Sequence, residues 1–141
     1  MSEKIVFLDA STVDYGDIDF SSISKLGEFV SYPVTSPDDV IRRCSDATIV
    51  ITNKVVIDKN ILSQCPKLRL IAEAATGYNN IDIAESKNRD IVVANVPGYS
   101  TTTVAQLTLA FILALSTNLV KYNTAAHDGS WSSSDIFTLG T

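Results

Sequence analysis

Short apolar runs that alternate with helical segments constrain the fold of this chain more than any other feature. Five such runs occur before residue 95, and each is three to five residues long. Runs this short are typical of strands that lie in a parallel sheet with both faces covered. The pattern predicts five strands, over Ile5–Leu8, Glu28–Tyr32, Thr48–Ile51, Leu68–Ala72 and Ile91–Val93.

The segments between these runs carry helix signals. Ser36 is a preferred N-cap residue with Pro37 at the first helical position after it, and Asp58 is placed to cap the next helix. Strands and helices that alternate in this way form a doubly wound sheet with right-handed crossovers. The predicted fold class is α/β: a flavodoxin-like, doubly wound parallel sheet of about five strands, followed by a long apolar helix and an extended arm.

Composition argues against several classes of function. The chain has 141 residues, 45% of them hydrophobic and 19% charged, which is typical of a soluble globular domain. A net charge of −5 and the lack of a Lys/Arg cluster argue against nucleic-acid binding. The N-terminus has no signal-peptide layout, and the longest apolar region, Leu107–Leu115, is too short to span a membrane. We therefore expect a cytoplasmic protein that binds no membrane.

Metal binding and cysteine chemistry are not indicated by the sequence. Cys44 and Cys65 lack a metal-ligand spacing, and neither has a neighbouring histidine. We expect both to be reduced thiols, and we expect no metal site. His127 is the one histidine of the sequence, and no recognisable motif places a carboxylate or a nucleophile beside it. It is therefore not assigned as a catalytic base.

Two loops, Ala75–Asn80 and Asn95–Ser100, follow predicted strands and are candidates for ligand binding. Gly77 can bring the main chain close to a ligand or adopt a positive φ, and Asn80 can cap the helix that follows. Successive N–H groups near a helix start bind carboxylates or phosphates well. The alternative is a plain turn, because most such turns bind nothing. Asp9 also ends a predicted strand, and we favour a cap on the next turn over a ligand contact.

The second loop leads into an apolar helix. Thr103 and Gln106 have the spacing of a capping box, which predicts that the helix begins near Val104. Apolar residues surround this helix as far as Leu115, so one face of a sheet cannot cover all of them. We expect a second domain or a partner subunit to cover the rest. From Asn123 onward, the Ser-rich composition predicts an arm or linker.

Four segments carry a family resemblance: Pro66–Ile71 (PKLRLI), Ala75–Asp82 (ATGYNNID), Val93–Ser100 (VANVPGYS) and Thr103–Gln106 (TVAQ). Together they resemble the D-isomer-specific 2-hydroxyacid dehydrogenase family, especially its glycerate dehydrogenase and hydroxypyruvate reductase members. The resemblance implies an oxidoreductase that transfers a hydride reversibly between a nicotinamide cofactor and a small 2-oxo or 2-hydroxy acid. We also expect a homodimer formed through the helix and arm.

The resemblance implies roles for individual residues. Main-chain N–H groups in the loop after the fourth strand would bind the substrate carboxylate, and the loop after the third strand would close over the substrate. Thr76 and Thr103 would border the nicotinamide side of the cofactor, which is NAD or NADP. The substrate-binding residues implied are Asn53, Lys54, Ala75, Thr76 and Gly77.

The resemblance stops short of the catalytic machinery. The family's G-x-G-x-x-G motif and its catalytic Arg, Glu and His lie downstream of the matched region, beyond Thr141. Residues 1–99 are then the N-terminal part of a substrate-binding (catalytic) domain. Residues 100–141 are an interdomain helix and an arm that lead to a missing NAD-binding Rossmann domain. We expect this chain alone to hold no catalytic residue, to bind no cofactor tightly and to be inactive.

Two interpretations from other classes stay open. A signalling receiver domain shares the flavodoxin-like architecture, but it needs a phosphoacceptor Asp after the third strand. Thr52, Asn53 and Lys54 stand at that place instead. A non-catalytic flavodoxin-like interaction or dimerisation module is compatible with the apolar helix, because such a helix needs a partner.

Overall fold

The computed structural model describes residues 3–135. The chain divides into two compact units, Met1–Gly98 and Tyr99–Thr141. The first unit contains one sheet of five parallel strands in the order β2-β1-β3-β4-β5, which confirms the predicted fold class. Every predicted strand overlaps an observed one: β1 Glu3–Phe7, β2 Gly27–Ser31, β3 Ile49–Thr52, β4 Leu70–Glu73 and β5 Val92–Ala94.

Short helices connect the strands of the first unit. The Asp58 side chain accepts a hydrogen bond of 2.9 Å from Ile61 N, which confirms the predicted cap. The Ser36 hydroxyl caps no main-chain N–H group; it donates instead to Asp39 Oδ2 at 3.0 Å, just before a 3-10 turn. The helices are α1 Ser21–Ser24, α2 Val40–Cys44, α3 Lys59–Ser63 and α4 Ile83–Asn88.

The predicted cap of α4 is wrong. Asp82 caps this helix by accepting a hydrogen bond of 2.9 Å from Glu85 N. Asn80 lies two residues earlier, and its side chain donates to Val55 O, in the loop after β3, and to Glu73 Oε2, at the end of β4. The helix begins later than the hydrophobic pattern suggests because Ile81 pairs with Ile57 in an isolated parallel bridge.

The largest core cluster joins alternate residues of the central strands to α2 and α3. On this face of the sheet, β3 and β4 end in polar residues, since Thr52 and Glu73 are both buried and lie opposite each other in register. Apolar packing therefore gives way to a polar edge where the strands end. The main apolar members of the cluster are Val6, Leu8, Val40, Val50, Ile61, Leu62 and Ile71.

The second unit contains two helices, α5 Thr101–Ser116 and α6 Leu119–Asp128. The predicted start of α5 near Val104 is wrong, because the Val104 N–H group already donates to Ser100 O at 2.8 Å. Thr103 is therefore the third residue of the helix, and its hydroxyl is not an N-cap. The main chain of Ser100 adopts a near-helical conformation, with φ −101° and ψ −1°, and its carbonyl oxygen accepts the first helical hydrogen bond of α5.

The predicted arm begins inside α6. This helix continues through Asn123 to Asp128 and stops at Gly129, whose φ of 77° is the left-handed conformation that commonly ends a helix. Residues 136–141 of the arm lie outside the described residues. No single helix in residues 3–135 is long and apolar enough to cross a bilayer; α5 and α6, bent by 63°, reach that length and composition only together.

Almost the whole of α5 is exposed. Among its residues only Ala114 is partly covered, and none is buried. Exposed apolar side chains lie on all sides of the helix rather than along one stripe. A surface of this kind is unusual for a helix in water, because large exposed apolar patches are more typical of interaction sites. The exposed large side chains of α5 are Val104, Leu107, Leu109, Phe111, Ile112, Leu113 and Leu115.

Candidate functional site

A small polar pocket lies where β3 and β4 end. The two strands end side by side, because Thr52 is in register with Glu73. The loops that follow them enclose a pocket of about 240 Å³. Three residues predicted to bind substrate are therefore brought together in the structure. The pocket is lined by Asn53, Lys54, Gly77, Asn79 and Asn80.

Asp9 holds the loop after β3 in place. Its carboxylate accepts hydrogen bonds from Asn53 N at 3.0 Å and 3.2 Å and from Lys54 N at 2.6 Å. The residue is only 3% exposed, so these N–H groups compensate a charge that is cut off from water. The favoured cap on the next turn is wrong, since the side chain makes no capping bond to the turn Ala10–Thr12. Asp9 instead stabilises one wall of the pocket.

The Asn53 side chain adds a second tie to the same region. Its Nδ2 donates to Thr12 Oγ1 at 3.0 Å, and the Thr12 hydroxyl donates to Asp9 O at 2.7 Å. Asn53 Oδ1 is buried and has no partner among the described residues. The amide side chain is thus fixed by the protein, while the Lys54 side chain is exposed.

The loop after β4 is tied to the loop after β5. Val96 N donates to Ala75 O at 2.9 Å, and the Thr76 hydroxyl donates to Val96 O at 3.0 Å. Asn95 Nδ2 donates to Thr76 O at 2.7 Å. Ala75 is buried under these contacts, whereas Thr76 and Gly77 are exposed. The two candidate loops therefore lie together at one edge of the sheet, and their tips are open.

The main-chain N–H groups of Thr76 and Gly77 face no acceptor in the part of the chain that the structure describes. Of the two uses suggested for Gly77, a positive φ is excluded, because it does not have one. A Cβ atom at this position would meet no heavy atom within 4 Å. Nothing within the described residues therefore requires glycine here, and close approach of a ligand to the main chain is the use that remains.

The electrostatics of this edge suit a small acid. Two adjacent N–H donors and the Lys54 ammonium can bind one carboxylate by charge-assisted hydrogen bonds. The nearby carboxylate of Asp9 accepts from two main-chain N–H groups, and among the described residues it forms no ion pair with Lys54. The pocket can therefore orient a small carboxylic acid, but its described residues include no histidine that could exchange a proton with it.

A larger cleft of about 560 Å³ lies on the other side of Lys54, between the loops that follow β1, β2 and β3. Its walls are mostly aliphatic. Asp9 and Asp58 are among its polar residues, and both carboxylates already accept main-chain hydrogen bonds. Aliphatic walls of this kind suit an apolar ligand better than a small carboxylic acid. The smaller pocket is thus the better candidate, although the larger one has more volume. The aliphatic walls are formed by Val34, Pro37, Val40, Ile41, Val55, Val56 and Ile61.

The other sequence candidates are not among the residues that line this pocket. Thr103 is exposed in the first turn of α5, in the second unit. The His127 ring Nδ1 lies 2.9 Å from Asn123 O within α6. Cys44 and Cys65 are free and buried, and the neighbouring Cys65 thiol together with burial raises the pKa of Cys44. No group of three His, Cys, Asp or Glu side chains in residues 3–135 is arranged to hold a metal ion.

Sequence reasoning missed Glu73 and misjudged Asn80. Glu73 is buried at the end of β4 and accepts a hydrogen bond from Asn80 Nδ2 at 3.2 Å. A carboxylate that ends an otherwise apolar run was the available signal, because buried carboxylates are rare and need a partner. Because Asn80 lies next to a helix start, its sequence position predicted a helix cap and gave no sign of the contact with Glu73 at the end of β4.

The family model for the catalytic domain of D-isomer specific 2-hydroxyacid dehydrogenases matches residues 6–137. The chain belongs to this family. The assignment confirms the resemblance carried by the four sequence segments, and it decides against the receiver-domain interpretation. The family's activity is oxidation and reduction, and its catalytic domain corresponds to almost the whole of this chain.

Relatives with assigned names agree with this membership. Hydroxypyruvate reductase of Blautia hydrogenotrophica is 38% identical over 92% of this chain and 41% of its own length. A putative 2-hydroxyacid dehydrogenase of Haemophilus influenzae is 39% identical over 95% of this chain and 42% of its own length. The chain thus spans about two fifths of the length of the curated relatives it matches.

A solved structure agrees on the fold. D-lactate dehydrogenase of Aquifex aeolicus, in complex with NAD and lactic acid, superposes with a TM-score of 0.78 at 24% identity. The match covers 97% of this chain and 40% of that protein. At this identity the likeness supports the α/β architecture, and the ligands of that complex remain properties of that protein.

Proposed function

We propose that this chain is the N-terminal, substrate-binding part of an NAD(P)-dependent D-2-hydroxyacid dehydrogenase of the glycerate or hydroxypyruvate type. The whole enzyme would transfer a hydride reversibly between the nicotinamide and a 2-oxo or 2-hydroxy acid. The observation that carries this proposal is that Gly77, whose N–H group is unpaired, lines a small polar pocket together with Lys54, and that the N–H group of the adjacent Thr76 is unpaired as well. Binding of D-glycerate to these loops is the experiment that tests it.

Each predicted substrate residue has a role in this proposal. Thr76 and Gly77 bind the acid's carboxylate through their N–H groups, and Lys54 neutralises its charge. Asn53 fixes the loop that carries Lys54, because its side chain is held by Thr12. Ala75 only helps to position the main chain of the loop after β4. Its side chain is buried, and its carbonyl oxygen accepts a hydrogen bond from Val96 N, in the loop after β5.

Binding of the nicotinamide cofactor requires more contacts than Thr76 and Thr103 can provide. Thr76 and Thr103 are proposed to border the nicotinamide side of NAD or NADP. The Thr76 hydroxyl, however, already donates to Val96 O, and the sequence has no G-x-G-x-x-G turn that could hold a pyrophosphate. The residues of this chain therefore do not form a dinucleotide site, and tight binding of the cofactor to them is not expected. Residues 1–99 are assigned to substrate binding and residues 100–141 to an interdomain helix and arm.

The 141-residue chain by itself is expected to be inactive. It lacks the His and carboxylate pair that would protonate a 2-oxo acid and the turn that would order a hydride donor. Mixing it with NADH and hydroxypyruvate should give no loss of absorbance at the NADH band above background. Turnover that follows the concentration of pure chain would contradict the assignment of catalysis to residues outside this sequence.

A homodimer through the helix and arm is the second part of the proposal. The exposed apolar faces of α5 support it, and they equally support the alternative that the chain is a non-catalytic interaction module. Sedimentation should show self-association that rises with concentration. Leu109→Lys, at a side chain 57% exposed in α5, should shift the protein to monomer.

The matched control for the dimer is Leu26→Lys. This side chain is 68% exposed in the first unit, so the substitution adds the same charge without touching α5. Leu26→Lys should sediment as the unmodified chain does. A parent chain that stays a compact monomer at high concentration, or a Leu109→Lys variant that self-associates as the parent does, would contradict the dimer. Self-association without any binding of D-glycerate would instead favour the interaction module.

A further inference from the structure

Glu73 is a buried carboxylate with an incomplete set of partners. It ends β4 and is only 2% exposed. Its Oε2 accepts a hydrogen bond from Asn80 Nδ2 at 3.2 Å, whereas Oε1 is buried with no partner among residues 3–135. Buried charged groups without full hydrogen bonding are costly, so a side chain of this kind calls for an explanation beyond packing.

Asn80 connects this carboxylate to two loops at once. The second proton of its Nδ2 group is donated to Val55 O at 3.1 Å, in the loop after β3. The main-chain carbonyl oxygen of Asn80 accepts from Ile57 N at 2.8 Å. Asn80 itself belongs to the loop after β4. One amide residue therefore ties together the two loops that enclose the 240 Å³ pocket, and it is also one of the residues that line it.

Few charged groups face Glu73. Burial raises the pKa of the Glu73 carboxyl, and the hydrogen bond from Asn80 partly offsets this rise. The negative charge of Asp9 also raises the pKa, whereas the positive charge of Lys54 lowers it. Asp9 lies after β1 and Lys54 after β3, so the charges come from the two strands that precede β4 in the sheet.

We propose that Glu73 is a positioning residue, which fixes the loop after β3 against the loop after β4 by holding the Asn80 side chain. This inference deepens the proposed function, because those loops carry the residues proposed to bind the acid. A hydrogen bond to an ionised carboxylate is about twice as strong as one to a neutral group. Protonation of Glu73 therefore loosens its hold on Asn80 and lets the two walls of the pocket separate.

Glu73→Gln separates the ionised from the neutral state. Glutamine has the shape of the protonated side chain and can still accept from Asn80, but it does not titrate. Because the folded-state pKa of Glu73 is raised, the neutral form stabilises the fold at low pH and this contribution is lost as the pH rises through that pKa. Glu73→Gln should therefore fold, and it should be at least as stable as the parent chain on the alkaline side.

The first measurement needs no ligand. In NMR spectra recorded as the pH is raised above the ordinary pKa of a glutamate carboxyl, the Asn80 side-chain amide and the Val56 main-chain amide should shift together in a single step. That step should vanish in Glu73→Gln and persist in Glu28→Gln, the control at an exposed carboxylate of β2. The proposal would be overturned if the chemical shift of the Asn80 side-chain amide did not change with pH. It would also be overturned if the same pH-dependent step occurred in Glu73→Gln.

The second measurement adds D-glycerate over the same pH range. Affinity should rise several-fold as Glu73 ionises, and in Glu73→Gln it should stay at the low-pH value throughout. Binding that does not change with pH in the parent chain would overturn the positioning role. If D-glycerate binds at no pH while the Asn80 step depends on Glu73, the link between the loops stands and the proposed function falls.

Discussion

Asp9→Asn is expected to lower the free energy of unfolding by about 2–4 kcal/mol. Both carboxylate oxygens of Asp9 accept main-chain hydrogen bonds, and the shortest is 2.6 Å from Lys54 N. An amide offers one oxygen and one NH₂ group, so in either orientation a donor would face the N–H group of Asn53 or Lys54. A buried donor without an acceptor loses its hydration and gains nothing in return. Chemical denaturation monitored by circular dichroism measures the difference.

Asp38→Asn is the matched control for this prediction. Asp38 is exposed in the turn before α2, and the same change of charge there should alter stability by less than about 0.5 kcal/mol. Asp9→Asn should also weaken D-glycerate binding in whatever fraction stays folded, because the loop that carries Lys54 loses its anchor. Equal stability of the two variants would show that the hydrogen bonds of Asp9 do not hold the loop after β3.

Gly77→Ala should weaken D-glycerate binding at least tenfold while leaving the fold intact. The added methyl group meets no heavy atom of the chain within 4 Å, and the φ of Gly77 is not positive. Alanine also restricts the unfolded chain, so stability should be unchanged or higher by about 0.4–1 kcal/mol. The methyl group projects from the main chain whose N–H group is proposed to contact the carboxylate. A loss of affinity without a loss of stability would therefore come from the ligand's approach.

Lysine variants separate steric from electrostatic effects. Lys54→Met removes the charge that lines the pocket and should also weaken binding about tenfold or more. Lys59→Met removes an exposed charge in α3, paired at 3.7 Å with Glu85, and should bind as the parent does. Binding that survives both Gly77→Ala and Lys54→Met would place the acid elsewhere on the protein.

The sheet could be predicted from sequence because its signals are local. Each central strand carries its own apolar run, and Asp58 caps α3 from three residues away. The start of α5 was placed too late because the Thr103–Gln106 spacing is compatible with two positions in a helix. Composition alone did not reveal α6, since Ser-rich sequence begins only after the helix has ended at Gly129.

The candidate site was predicted only in part. The loops carrying Lys54 and Gly77 were identified from a family resemblance, and the fold brings them to one pocket. The role of Asp9 in holding the loop after β3 could not be predicted, because it contacts residues 44 and 45 positions away in sequence. Glu73 and Asn80 are only seven residues apart, but their contact forms only because the loop after β4 folds back against the end of that strand. Such contacts follow from tertiary structure and leave no periodic signal.

The most direct test of the central claim is a map of amide chemical-shift changes on addition of D-glycerate to the isotopically labelled chain. We expect the changes to concentrate at Lys54, Thr76 and Gly77, and glycerol, which lacks the carboxylate, should cause none of them. The same map should be lost in Gly77→Ala. Changes confined to the aliphatic cleft around Val40 and Ile61, or no saturable change at all, would contradict a carboxylate site at the ends of β3 and β4.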